Sequence, residues 1–163
     1  MPKIATLEMR IQTFRAYQPN ATGDGGSLQV MTSSATPGAE DVTYAVIDSG
    51  GGLLSLDANG GLRVSKTRKR DDDVRIVVIG PDQAVYRPQG LVARQLSADG
   101  IDTQKSPFGE FDCRGNQIVI RDAEDIDTGW EFFVLVQRIA KLPANPKAFN
   151  FTFGLIDPRI QNQ

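Results

Sequence analysis

A chain of 163 residues with 40% hydrophobic residues, 23% charged residues and a formal charge of −2 has the size of one domain and is too apolar for disorder. No apolar run approaches the ~20 residues of a membrane-spanning helix. Glu8 and Arg10 interrupt any apolar signal core, so the expectation is a cytoplasmic protein with no membrane partner.

The 16 glycines and 9 prolines divide the chain into short β-branched runs, which is the punctuation of an all-β domain. Ile4 to Phe14 carries both helical and alternating spacing, and the β character of the remainder favours a strand. Leu28 to Thr32 alternates with period two, and Val42 to Ile47 is apolar on both parities, as in a central strand. Leu53 to Leu56 and Leu62 to Val64 flank Asn59-Gly60, a dipeptide that accepts positive φ and predicts a hairpin.

Val74 to Ile79 is the most strand-like run and stops at Gly80-Pro81-Asp82. Pro88, between Ala84-Val85-Tyr86 and Gly90 to Ala93, predicts an edge, a bulge or two short strands. Gln95 to Pro107 is weakly patterned and reads as a loop. Gln117 to Arg121 is expected to pair with Trp130 to Val136 across an acidic connection. Phe149, Phe151 and Phe153 alternate with Asn150 and Thr152 in a final strand. Strands at this spacing without βαβ alternation predict one domain over 1–163, an antiparallel β-sandwich of about nine strands.

The chain contains no histidine, which removes the usual general base near neutral pH and the imidazole ligands of common zinc and iron sites. Cys113 is the single cysteine, so no intrachain disulfide can form. Gly50-Gly51-Gly52 lacks the lysine and following helix of a phosphate-binding loop. No cofactor is expected. The remaining enzymatic chemistry is that of carboxylates, a lysine base or a hard metal bound by oxygen.

The C-terminal third, Asn116 to Asp122, Asp127 to Leu135 and Gly154 to Asn162, resembles the DP-EP family of small bacterial proteins. The PixA/AidA-like inclusion-body proteins are similar. The most distinctive part is the tail Asp157-Pro158-Arg159-Ile160-Gln161-Asn162; no Glu-Pro dipeptide is present. The resemblance implies an immunoglobulin-like sandwich and transfers no catalytic residues.

Five groups of residues are candidates for function. Asp122, Glu124, Asp125 and Asp127 have the oxygen ligands that Ca²⁺ accepts, without EF-hand spacing, and also suit a solvated loop with Asx turns. Lys66, Arg68, Lys69 and Arg70 form a basic tip, but Asp71, Asp72 and Asp73 neutralise its field, and nucleic acid is not an expected partner. Trp130 and the phenylalanines have the chemistry of a sugar-stacking platform, although their alternation places them in the core. Cys113 between Asp112 and Arg114 reads as a half-buried structural thiol, and Asp57 and the paired Asp99 and Asp102 have the chemistry of glycosidase carboxylates but are explained as surface-loop residues.

The function that fits is a non-enzymatic binding or self-assembling structural module, with a homo-oligomer as one partner. A Ca²⁺- or carbohydrate-binding module is the first alternative, its small-molecule or metal ligand unknown. A carboxylate-based hydrolase is the second.

Overall fold

The computed structural model describes residues 3–23, 25–27, 30–35, 41–56, 62–64, 72–97, 100–102, 108–123, 130–157 and 160–162. Among the described residues there are strands and no helix, hence no helix long and apolar enough to cross a membrane. In chain order the strands begin with β1 (Ile4–Ile11), β2 (Gln18–Pro19), β3 (Gly26–Ser27), β4 (Val30–Ser34) and β5 (Val42–Asp48). They continue with β6 (Leu54–Leu56), β7 (Leu62–Val64), β8 (Asp73–Ile79), β9 (Val85–Ser97) and β10 (Gly100–Asp102). The last are β11 (Phe108–Arg114), β12 (Gln117–Ala123), β13 (Trp130–Leu142), β14 (Asn145–Asp157) and β15 (Ile160–Asn162).

Ten strands join one mixed sheet in the order β10-β9-β13-β14-β4-β5-β1-β8-β12-β11. The sheet curls until β9, near one edge, packs against β8, β11 and β12 near the other, which nearly closes a barrel. The all-β expectation is met, but an entirely antiparallel sheet is not. β1 pairs parallel with β8, and β4 pairs parallel with both β5 and β14. Side chains alternate identically in both kinds of pair, so periodicity carries no information about strand direction.

The β1/β8 register has a local cause. Asp72, read in the sequence as part of a charge run, is buried and accepts the Lys3 backbone N–H at 2.9 Å. The Asp73 N–H donates to the Lys3 carbonyl at 2.9 Å, so two bonds set Ile4 opposite Asp73 at the start of both strands. From there Ala5, Leu7, Met9 and Ile11 on β1 face inward with Val74, Ile76 and Val78 on β8. Ile118 and Ile120 of β12, Val134 and Val136 of β13, and Ile156 of β14 complete this side of the core.

Two other expectations are corrected. β12 does not pair with β13: it lies between β11 and β8, while β13 lies between β9 and β14. The reason is the tight turn at Gly115 (φ 56°), which locks β12 to β11 before the acidic connection begins. The weakly patterned stretch from Gln95 to Pro107 contains the end of β9 and all of β10. The β6/β7 hairpin forms as expected, with Leu54 opposite Val64.

Pro88 sits inside a single long strand, where Gly90 and Pro88 oppose the consecutive residues Leu135 and Val136. Gln89 is the extra residue of a bulge, and β10 pairs with β9 only at Gln95 to Ser97, so among the described residues no strand pairs with Pro88 on the side away from β13. Just before β9, Gly80 passes over the Tyr86 ring so closely that a Cβ there would lie 1.9 Å from the ring. Gly80→Ala therefore forces the ring or the chain to move, at a cost of about 1–3 kcal/mol. In a thermal melt the variant is expected to fall by roughly 3–10 °C. Gly90→Ala, where nothing lies within 4 Å, is the matched control and should melt close to the wild type.

Candidate functional site

The long hairpin of β13 and β14 has two unlike faces. Residues directly opposite each other in antiparallel pairs share a face. Ile156 with Val134, and Gly154 with Val136 and Pro88, point inward, and the next inward row is Thr152, Arg138 and Tyr86. The outward rows are Phe153, Gln137 and Arg87, then Phe151, Ile139 and Val85, then Phe149 and Lys141. Phe149, Phe151 and Phe153 are 50%, 55% and 39% exposed. The expectation that these phenylalanines form core is overturned.

The reason lies beneath the strand. A Cβ on Gly154 would meet the Arg15 carbonyl at 2.6 Å, the Met31 methyl at 2.9 Å and the Phe14 ring at 3.2 Å. One row further on, the Tyr86 ring and the Arg138 side chain fill the interior. At positions 152 and 154 the inward parity of β14 therefore carries small side chains, Thr152 and Gly154, with a large one returning only at the buried Ile156, and the rings take the other parity. At ~150–250 Å² per aromatic side chain, half-exposure leaves about 300 Å² of ring surface in water, comparable to the largest apolar patch of a typical monomer, which is often functional.

The inward end of the hairpin holds a polar cluster. The Tyr86 hydroxyl donates to Asp82 Oδ1 at 3.0 Å and accepts from Arg138 Nε at 3.1 Å. Arg138 also donates to Asp82 Oδ2 at 3.0 Å, and the Ala84 N–H to Asp82 Oδ1 at 3.0 Å. The guanidinium lies 5.9 Å from the Tyr86 ring centre, and Phe14 meets that ring edge-on at 5.6 Å. Burial pushes the Asp82 carboxyl upward, but its bonds from Arg138, Ala84 and Tyr86 and the Arg138 charge outweigh it and hold the group below 3.8. Burial raises the Tyr86 phenol, with Asp82 adding to the rise and Arg138 opposing it, so the hydroxyl stays protonated at neutral pH. Each group is satisfied by the others. The cluster closes this end of the fold and presents no activated acid, base or nucleophile.

Elsewhere the candidates are less well assembled. Glu124, Asp125 and Asp127 lie outside the described residues, and Asp122 falls in β12. Among the described residues no three His, Cys, Asp or Glu side chains gather as a metal site. Lys66, Arg68, Lys69 and Arg70 also lie outside the described residues, as do Asp57 and Asp99, while Asp102 falls in β10. Cys113, expected to be half-buried, is exposed on β11; desolvation of the sulfur and then the Asp112 charge push the thiol up, away from a reactive thiolate. A depression of about 130 Å³ on β1 and β5 is lined by Glu8, Arg10, Ala35, Thr43 and Ala45. Its carboxylate is already paired with Arg10 at 2.5 Å, and the volume is well below the ~300–1,000 Å³ of ligand pockets.

The outward phenylalanines were legible as a strand but not as a site. The available signal was their company: Lys147 precedes the row, and the intervening Asn150 and Thr152 are too short to fill a core. Compared with known protein families and curated proteins, the chain matches none.

The Asp82 cluster gives a pH prediction. A carboxyl held below its unfolded value contributes stability that is complete above the unfolded pKa and is lost as pH falls through the folded one. Asp82→Ala is expected to lower the melting temperature at pH 7, with the gap to the wild type narrowing below about pH 4. A gap that stays constant down to about pH 2 would contradict the cluster's charge.

Proposed function

We propose that this protein is a non-enzymatic binding or self-assembling structural module, and that its working surface is the outward face of the β13/β14 hairpin. The observation that carries this reading is the row of half-exposed Phe149, Phe151 and Phe153. Leaving about 300 Å² of ring in water forgoes ~7 kcal/mol of transfer free energy, which a contact with a partner would recover in part. The self-contained bonding of Asp82, Tyr86 and Arg138 favours a structural role for the polar cluster and hence a non-catalytic protein.

The kinship to DP-EP-like and PixA/AidA-like bacterial proteins belongs to the same proposal, as do an immunoglobulin-like sandwich and a cytoplasmic location. It is supported by the positions of the resembling residues, which form parts of β12, β13, β14 and β15. The curled sheet brings its two ends face to face, as the halves of a sandwich are.

Self-assembly is favoured by a second observation. On the side away from β13, β14 pairs with β4 only from Leu155 to Asp157. The Phe153 carbonyl on that side accepts the Tyr17 N–H at 2.7 Å, so among the described residues no strand pairs with the stretch before it. Such an edge is a template for another strand.

If the rings serve a partner rather than the fold, Phe151→Thr, which keeps a β-branched side chain, should change the melting temperature by less than about 3 °C. A fall beyond about 10 °C would make the ring a packing element. Light scattering across concentration tests self-assembly through the open β14 edge: mass should rise with concentration in the wild type and in Phe151→Thr alike. A wild type that stays monomeric at its highest soluble concentration contradicts self-assembly.

A further inference from the structure

We propose that the outward hairpin face binds single-stranded nucleic acid, with Phe149, Phe151 and Phe153 as stacking platforms and Arg87, Lys141 and Lys147 as phosphate contacts. The inference rests on the reading of that face as the working surface and names its occupant. Along an antiparallel strand, rings two residues apart stand about 6.8 Å from one another. That is twice the ~3.4 Å rise of stacked bases, so an unstacked strand can place one base on each ring.

The cations flank this row. Lys141 is directly opposite Phe149, Arg87 lies two strands across from Phe153, and Lys147 precedes Phe149 by two residues. All three are exposed, and none forms an ion pair among the described residues. Along the outward parity of β14, the first carboxylate is Asp157, beyond Phe153 and Leu155. A chain of net charge −2 thus places positive charge, unpaired among the described residues, around its exposed aromatic row. Gln137 and Gln89, 3.4 Å apart, add amide donors and acceptors on this side of the sheet, suited to base edges.

The same features weigh against the other occupants. Apposing two copies of this face brings the cations around the aromatic row together. Burying it in lipid hydrocarbon would take the Gln89 and Gln137 amides out of water. Nucleic acid accommodates rings, amides and cations together. The sequence had directed attention to the basic tip at 66–70, where neighbouring aspartates cancel the charge, rather than to cations dispersed over three strands.

Fluorescence anisotropy with a labelled single strand of about twelve thymidines in roughly 50 mM salt tests this on the full chain. Binding is expected, with a log–log salt slope of about −2 for three phosphate contacts. Phe151→Ala should weaken it about tenfold. Arg87→Gln with Lys141→Gln should weaken it and flatten the slope, and circular dichroism should show both variants folded.

No binding at ~100 μM protein overturns the proposal, as does binding that Phe151→Ala leaves unchanged. Parallel sedimentation with phosphatidylglycerol vesicles and light scattering of the free protein separate the two levels of the argument. Vesicle binding or self-association lost in Phe151→Ala, without oligonucleotide binding, overturns the nucleic-acid assignment and leaves the face as the working surface. If Phe151→Ala alters none of these associations, the reading of the face fails as well.

Discussion

The interior beneath Thr152 and Gly154 of β14 has no room for large side chains, and the character of the molecule's outer face depends on that shortage. The Arg15 carbonyl, the Met31 methyl and the Phe14 ring crowd Gly154. Tyr86 and Arg138 occupy the next row toward the hairpin tip. A strand has only two parities, so material excluded from one must appear on the other. The phenylalanines are displaced outward by close packing rather than drawn inward by hydrophobicity. Their half-exposure is the feature on which the proposed contact surface rests.

The same logic separates two kinds of polar group in one hairpin. Arg138 points inward, bonds Asp82 and Tyr86, and stacks near an aromatic ring. Its charge serves the fold. Lys141 and Arg87 lie on the opposite parity, meet solvent and are available to a partner. Neighbouring cations in one short sequence therefore have unlike roles, set by which side of the pleat they occupy.

How much of this was legible in the sequence follows from what alternation encodes. β1, β5 and β8 were readable because their apolar residues recur with period two or form dense β-branched runs. The β6/β7 hairpin was readable because Asn59-Gly60 sits between two such runs. Pairing direction was not, since β1/β8 is fixed by Asp72 and Lys3 across a separation of 69 residues. Placing β12 beside β13 failed because the intervening acidic stretch was treated as a hairpin loop, while the turn that acts is at Gly115. For β14 the alternation correctly gave a strand and then misled on its facing, because hydrophobic patterning assumes that the buried side has room. The site at Asp122 to Asp127 and the basic tip at 66–70 were visible only as composition.

The outward facing of the aromatic row is the claim on which the functional account stands, and thiol labelling measures it directly. In a Cys113→Ser background, Phe151→Cys and Thr152→Cys place one thiol on each parity of β14. The account predicts that a thiol at position 151 reacts with a polar maleimide much faster than one at 152. Faster labelling at 152 would mean that the rings face inward, and the contact surface would not exist.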